Sequence, residues 1–172
     1  MRVILTFIFG CTCFLSHAQN FTNKGREFWV GYGHNQLFTS AGNSQDMVVY
    51  LSAEQPANVT VSIPGTAWIR NYVIPANTVI VSDIIPKSGA DDCRLTGEGL
   101  FSRAVHIESN VPIVAYAHMY GNNSSGASML LPVETYGYSY VSINSKQAYA
   151  NNCFSWAYVI ASHDNTVVEI TP

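Results

Sequence analysis

The sequence has little charge. Lys, Arg, Asp and Glu make up 11% of its 172 residues, with eight basic against eleven acidic side chains and a net charge of −3. No basic run or patch pattern occurs, which excludes a nucleic-acid footprint. Helical periodicity is nearly absent after the first eighteen residues. The longest uncharged apolar run, Val3 to Leu15, spans about 13 residues against the roughly 20 of a membrane-crossing helix. Disorder is excluded from the other side, because 48% of the residues are hydrophobic and 12% aromatic. Cysteine is scarce, with four in all.

The N-terminus carries an export signal. Arg2 supplies a positive n-region, Val3 to Leu15 the apolar core, and Ser16-His17-Ala18 the small residues read before cleavage at Gln19. A lipobox at Ile8-Phe9-Gly10-Cys11 is the alternative; Phe9 is bulky for it, and the apolar run continues past Cys11. Loss of residues 1–18 removes Arg2, Cys11 and Cys13, leaving a net charge of −4. The expected location is secreted or cell-surface. Cys93 and Cys153 remain as an even pair in an exported chain, and a disulfide between them is expected. It would close a long loop and stabilise the fold by about 4 kcal/mol in the chain-entropy account.

Short β-branched and aromatic runs separated by Gly, Pro, Asn and Ser fill the rest. Expected strands cover 28–32, 47–53, 58–63, 68–74, 78–84, 104–108, 112–120 and 127–131. Met47 to Ala53 is almost continuously apolar, as for a strand buried on both faces. Val59, Val61 and Ile63 alternate with polar residues until Pro64-Gly65 stops the pattern. Pro75-Ala76-Asn77 and Ser109-Asn110 read as turns, and 86–99 and 121–126 as loops. The class is all-β, an antiparallel β-sandwich or related barrel. A propeller is the runner-up, without the 40–50-residue period it requires.

A longer repeat emerges. Trp29-Val30-Gly31-Tyr32 is echoed by Tyr140-Val141-Ser142-Ile143, Met47 to Ala53 by Trp156 to Ala161, and Asn58 to Pro64 by Asn165 to Pro172. The offset is about 110 residues with one-residue gaps. The expected organisation is a first β-sandwich unit at 25–132 and the first three strands of a second, incomplete unit at 133–172. Such a unit exposes strand edges, so the chain reads as the N-terminal piece of something longer.

No residue set announces catalysis. His34, His106, His118 and His163 share no HxH or HxxxH spacing, and no metal site is expected. There is no G-x-S-x-G elbow, and His163-Asp164 sits in an apparent turn. Asp91, Asp92 and Glu98 could offer oxygens to Ca²⁺ but lack an EF-hand pattern and read as a solvated loop. Glu108, Glu134 and Glu169 single out no glycosidase pair. No catalytic residue and no cofactor is expected. Ten tyrosines stand out; most fall on strands, where aromatics pack. The candidate binding residues are Tyr120, Asn122 and Asn123 around one loop, with Tyr136 and Tyr138 in a second segment.

Gly25-Arg26-Glu27-Phe28-Trp29, Leu95-Thr96-Gly97, Ile107 to Tyr116, Leu130 to Gly137 and Asp164 to Pro172, in that order, resemble the N-terminal domain of the IgGFc-binding protein family, over roughly residues 25–172. The resemblance implies a bacterial surface or secreted member of a family of large extracellular multidomain proteins, and a domain about twice this length. It brings no catalytic residues, and Fc binding does not transfer, because the matching motifs are core strands and turns. The expected function is non-enzymatic binding or adhesion toward an extracellular protein or glycan, with no nucleic acid and no membrane span after signal cleavage. A structural spacer in a mucus-like protein and an extracellular hydrolase are the alternatives.

Overall fold

The computed structural model describes residues 22–33, 45–121, 124–146, 148 and 155–171. The leader, Asn122, Asn123 and Cys153 lie outside these residues. Seven strands form one antiparallel sheet: β1 (Gly25–Val30), β2 (Asp46–Ala53), β3 (Ala57–Ser62), β4 (Ile69–Ile74), β5 (Thr78–Val81), β6 (Val105–Gly121) and β7 (Ser124–Met129). Two single-turn 3₁₀ helices, Gly89–Asp91 and Val133–Thr135, are the only helical elements among the described residues. The all-β, antiparallel class therefore holds. In place of two separate sheets, one sheet bends over itself.

The bend follows from where the chain cannot extend its ladders. β2 and β3 run one after the other along β6, with Ala53 opposite Ile113 and Val59 opposite Ser109. β4 and β5 return along β3 and β2, with Ile74 opposite Ala57 and Thr78 opposite Ala53. Pairing breaks at one level, where β2 gives way to β3, β4 to β5, and β6 passes from one neighbour to the other, and each break holds a proline: Pro56, Pro75 and Pro112. A proline has no N–H to give a ladder. Local bonds take over there. The Asn58 N–H donates to Asn110 Oδ1 at 2.8 Å, and the Asn77 N–H donates to the Ala53 carbonyl at 2.8 Å. Asn77 takes a left-handed φ of 56°, which Asn tolerates better than most residues.

Three sequence expectations change accordingly. Ser109-Asn110 does not reverse the chain; β6 runs through it as a single 17-residue strand. Pro75-Ala76-Asn77 is likewise a kink between consecutive strands β4 and β5 rather than a reversal. The expected loop at 121–126 is shorter, since Ser124 already pairs with Gly121. In each case Pro and Asn signalled a broken ladder, and a kink breaks a ladder as well as a turn does.

The inward positions keep strict alternation across the kinks. Val105, Ile107, Ile113 and Ala115 of β6 are all buried, as are Val59, Val61, Met47 and Leu51 on its neighbours. Residues from both halves of the bent sheet belong to one apolar cluster, so the sheet closes around a single core. Fully burying a Leu, Val or Phe side chain stabilises by about 1.5–3 kcal/mol. The expected burial of β2 on both faces holds at Val48, which is buried, and ends at Tyr50, which points outward. Tyr32 is buried, and its hydroxyl donates to the Val48 carbonyl at 2.7 Å.

The acidic segment near Asp91 is more ordered than a solvated loop. Asp92 accepts from the Arg94 backbone N–H, Nε and Nη2 at 3.1, 2.9 and 2.7 Å. Those hydrogen bonds hold its carboxyl below the ordinary carboxylate range. Asp92 is thereby spent on Arg94, and no group of three His, Cys, Asp or Glu gathers as metal ligands among the described residues. Cys93, next to it, is buried with a free thiol, and burial pushes its pKa up to about 12.

Residues 138–146 and 155–171 form no ladder, although 140–143, 156–161 and 165–170 read as strands. Their β-prone residues are in place, but no described strand lies beside them to take their hydrogen bonds.

Candidate functional site

Since odd-numbered residues of β6 face the core, its even-numbered residues form the outer face. On the half beyond the kink these are Tyr116, His118 and Tyr120, set against Ala115 and Ala117 inside. Register carries this face across neighbouring strands. Val81 of β5 lies opposite Tyr50 of β2, Tyr50 opposite Tyr116 of β6, and Tyr116 opposite Met129 of β7. The result is a continuous row across four strands, with exposures of 51%, 36%, 40% and 49%. None of its side chains is charged.

His118 sits one step along. Its ring lies 4.9 Å from that of Tyr120 and 5.7 Å from that of Tyr50, and its Nε2 is 2.8 Å from Ser125 Oγ. Val79, Tyr50, Tyr116, His118 and Ala127 line a shallow depression of about 390 Å³. Such a surface offers flat apolar area with hydroxyl and imidazole groups at its margin, which suits contact with another protein surface.

A second, more polar cluster lies at the opposite end of β6. Trp29 of β1 stacks on His106, with ring centroids 4.0 Å apart. Glu27 Oε1 is 3.1 Å from both Trp29 Nε1 and His106 Nε2, and Glu108 Oε2 is 3.8 Å from His106 Nδ1. The stacked imidazole covers one face of the indole. This arrangement ties β1 to β6.

The candidate residues read from the sequence do not assemble into one site. Tyr120 joins the His118 group. Asn122 and Asn123 lie outside the described residues. Tyr136 packs half-buried beside β1; burial raises its pKa, the neighbouring Tyr140 and Glu27 add to the rise, and a backbone hydrogen bond from Trp29 partly opposes it. Tyr138 is fully exposed. Tyr120 and Tyr136 thus attend opposite ends of β6. Sequence reasoning missed Tyr50, Tyr116, His118 and Met129. A signal was present: the inward parity set by Val105 and Ile107 runs on through Ala115 and Ala117, so the large residues between those alanines must point outward.

Comparison with known proteins bears on the C-terminal part. Residues 126–172 match the IgGFc binding protein family. The match spans most of β7, the Val133–Thr135 turn and the segment after it, where the resemblance to the IgGFc-binding family had rested on Leu130 to Gly137 and Asp164 to Pro172. The family is described by binding, not by a reaction. No curated protein matches the chain. The crystal structure of Thermotoga maritima 1070 is similar at 14% identity and a TM-score of 0.39, over 66% of this chain and 98% of that one. Likeness of that size bears on neither mechanism nor partner. No described helix is long and apolar enough to cross a membrane.

Proposed function

We propose that the chain is an exported, non-enzymatic binding module that recognises an extracellular protein through the outer face of β5, β2, β6 and β7. The observation that carries this reading is the row Val81, Tyr50, Tyr116 and Met129, exposed in register across four strands. Apolar side chains on adjacent strands normally pair toward a core; here a row of them faces solvent. Tyrosines contribute large contact area at low entropy cost, and a patch of this kind on a folded unit marks an interaction site. The match to a family named for binding IgG Fc supports a protein partner. Export by residues 1–18 and a second unit begun by 133–172 belong to the same reading.

The test uses immobilised protein against a panel of extracellular proteins that includes IgG Fc, with a glycan array in parallel. A partner bound through the row should lose about 30-fold or more in affinity on Tyr116→Ala, the effect of a central interface aromatic. Tyr138→Ala should leave binding unchanged. Retention only on glycans, or a protein partner indifferent to Tyr116→Ala and Tyr50→Ala, would reject the row as the site. Retention of nothing would favour a structural spacer.

A further inference from the structure

A second surface lies apart from that row, where the chain leaves β1. Gly31 and Gly33 flank the buried Tyr32, whose backbone bridges to Arg94 and whose carbonyl accepts from the Leu95 N–H at 2.9 Å. The two glycines stand two positions apart in extended chain, so both open toward the same side. Leu95 forms one wall of the resulting hollow.

The hollow is filled from far along the sequence. A β-carbon at Gly33 would fall 1.7 Å from Trp156 Cη2, and one at Gly31 would fall 3.1 Å from Tyr158 Cε2 and 3.3 Å from Leu95 Cδ1. Trp156 and Tyr158 stack at 5.3 Å with ring planes 17° apart, and the Tyr158 hydroxyl donates to the Gly31 carbonyl at 2.8 Å. Two aromatics spaced two apart meet two glycines spaced two apart. Complementarity of period as well as shape distinguishes this from casual contact. Burial raises the Tyr158 pKa, in keeping with a ring seated on protein.

We infer that the Gly31–Gly33 hollow is a receptor for an aromatic-x-aromatic strand, and that the chain's own Trp156-Ala157-Tyr158 occupies it as a latch joining the C-terminal segment to the first unit. The described residues of segment 138–171 form no ladder, so side-chain docking is what holds them to the first unit. Pro132 on Gly25 and Tyr136 beside Trp29 fix only its beginning. The latch is what restrains its distal part. Its side chains remain 44% and 43% exposed, so it can open without dismantling the core.

Limited proteolysis read by mass spectrometry tests this, on the exported chain carrying Cys153→Ser so that no bridge to Cys93 can hold the segment instead. Gly33→Ala and Trp156→Ala should each speed cleavage within 138–171 by about ten-fold, because cleavage tracks the open population. Cleavage within 45–121 should stay at its original rate. The double variant should be cut no faster than the faster single, since either change empties the same hollow. Trp156 lies outside every strand, so its variant remains informative if Gly33→Ala disturbs the first unit. Unchanged cleavage in Trp156→Ala, or single effects that multiply in the double variant, would overturn the latch.

Discussion

Asn58 to Pro64 and Asn165 to Pro172 are written in nearly the same residues, yet they meet different fates. In the first, Val59, Val61 and Ile63 are at most 1% exposed, paired on one side with β4 and on the other with β6. In the second, Val167 is 92% and Ile170 77% exposed, with no strand among the described residues beside them. Alternation therefore states which face a strand would bury. Hydrogen-bonding neighbours decide whether the strand exists. A β-prone segment without partners remains extended and solvated, because its backbone groups gain nothing by fixing one conformation.

The contrast can be broken most forcefully in the core. Phe28→Ala should destabilise the protein by about 3–5 kcal/mol, the range for a buried aromatic, whereas Ile170→Ala should change stability by less than about 0.5 kcal/mol. Chemical denaturation followed by circular dichroism reads both. A large effect at Ile170 would mean that the two copies of the pattern are equally packed.

A smaller loss is expected at the bend, which the described C-terminal segment does not reproduce. Asn110→Ala removes the acceptor for the Asn58 N–H and should cost about 1 kcal/mol. Asn165→Ala, whose left-handed φ of 59° serves no ladder, should cost less.

The smallest effects concern ionisation. Burial raises the pKa of Cys93 and of Tyr32 above their unfolded values. The folded protein then holds protons that the unfolded chain releases, so stability is full below the unfolded thiol pKa near 9 and declines as pH rises toward about 12. In a chain carrying Cys153→Ser, denaturation midpoints at pH 7, 9 and 10.5 should fall in that order. In a Cys153→Ser chain, Cys93 should resist thiol reagents at neutral pH until the protein unfolds. The expected Cys93–Cys153 bridge has its own check: a mass about 2 Da below the reduced form, one S–S bond having replaced two S–H. Two free thiols would remove it.

How much of this was legible beforehand depended on whether a signal was local. Val59, Val61, Ile63, Val105 and Ile107 announced their inward faces by period alone, and the structure buries each of them. The joining of 104–108 to 112–120 into one strand was not legible. Pro and Asn lower ladder-forming ability in the same way whether the chain reverses or merely kinks, and only the neighbours at 54–56 and 75–77 settle which. The binding face was obscured for a similar reason. Tyr50, Tyr116 and Met129 are 79 residues apart from first to last, and nothing short of register places them in a row. The Gly31–Gly33 hollow was equally hidden, because its occupants are named more than a hundred residues later.

β6 touches β1, β2, β3 and β7, and it begins only at Val105. A chain emerging N-terminus first therefore offers β1 and the β2–β3 arm no central partner until Val105 has emerged, 75 residues after the end of β1 and 43 after the end of β3. Loops of that size close slowly, and contacts of such sequence separation delay folding. Under the export proposed for residues 1–18, this delay would be useful: the polypeptide would stay unfolded, and so translocatable, until the strand that organises it had crossed.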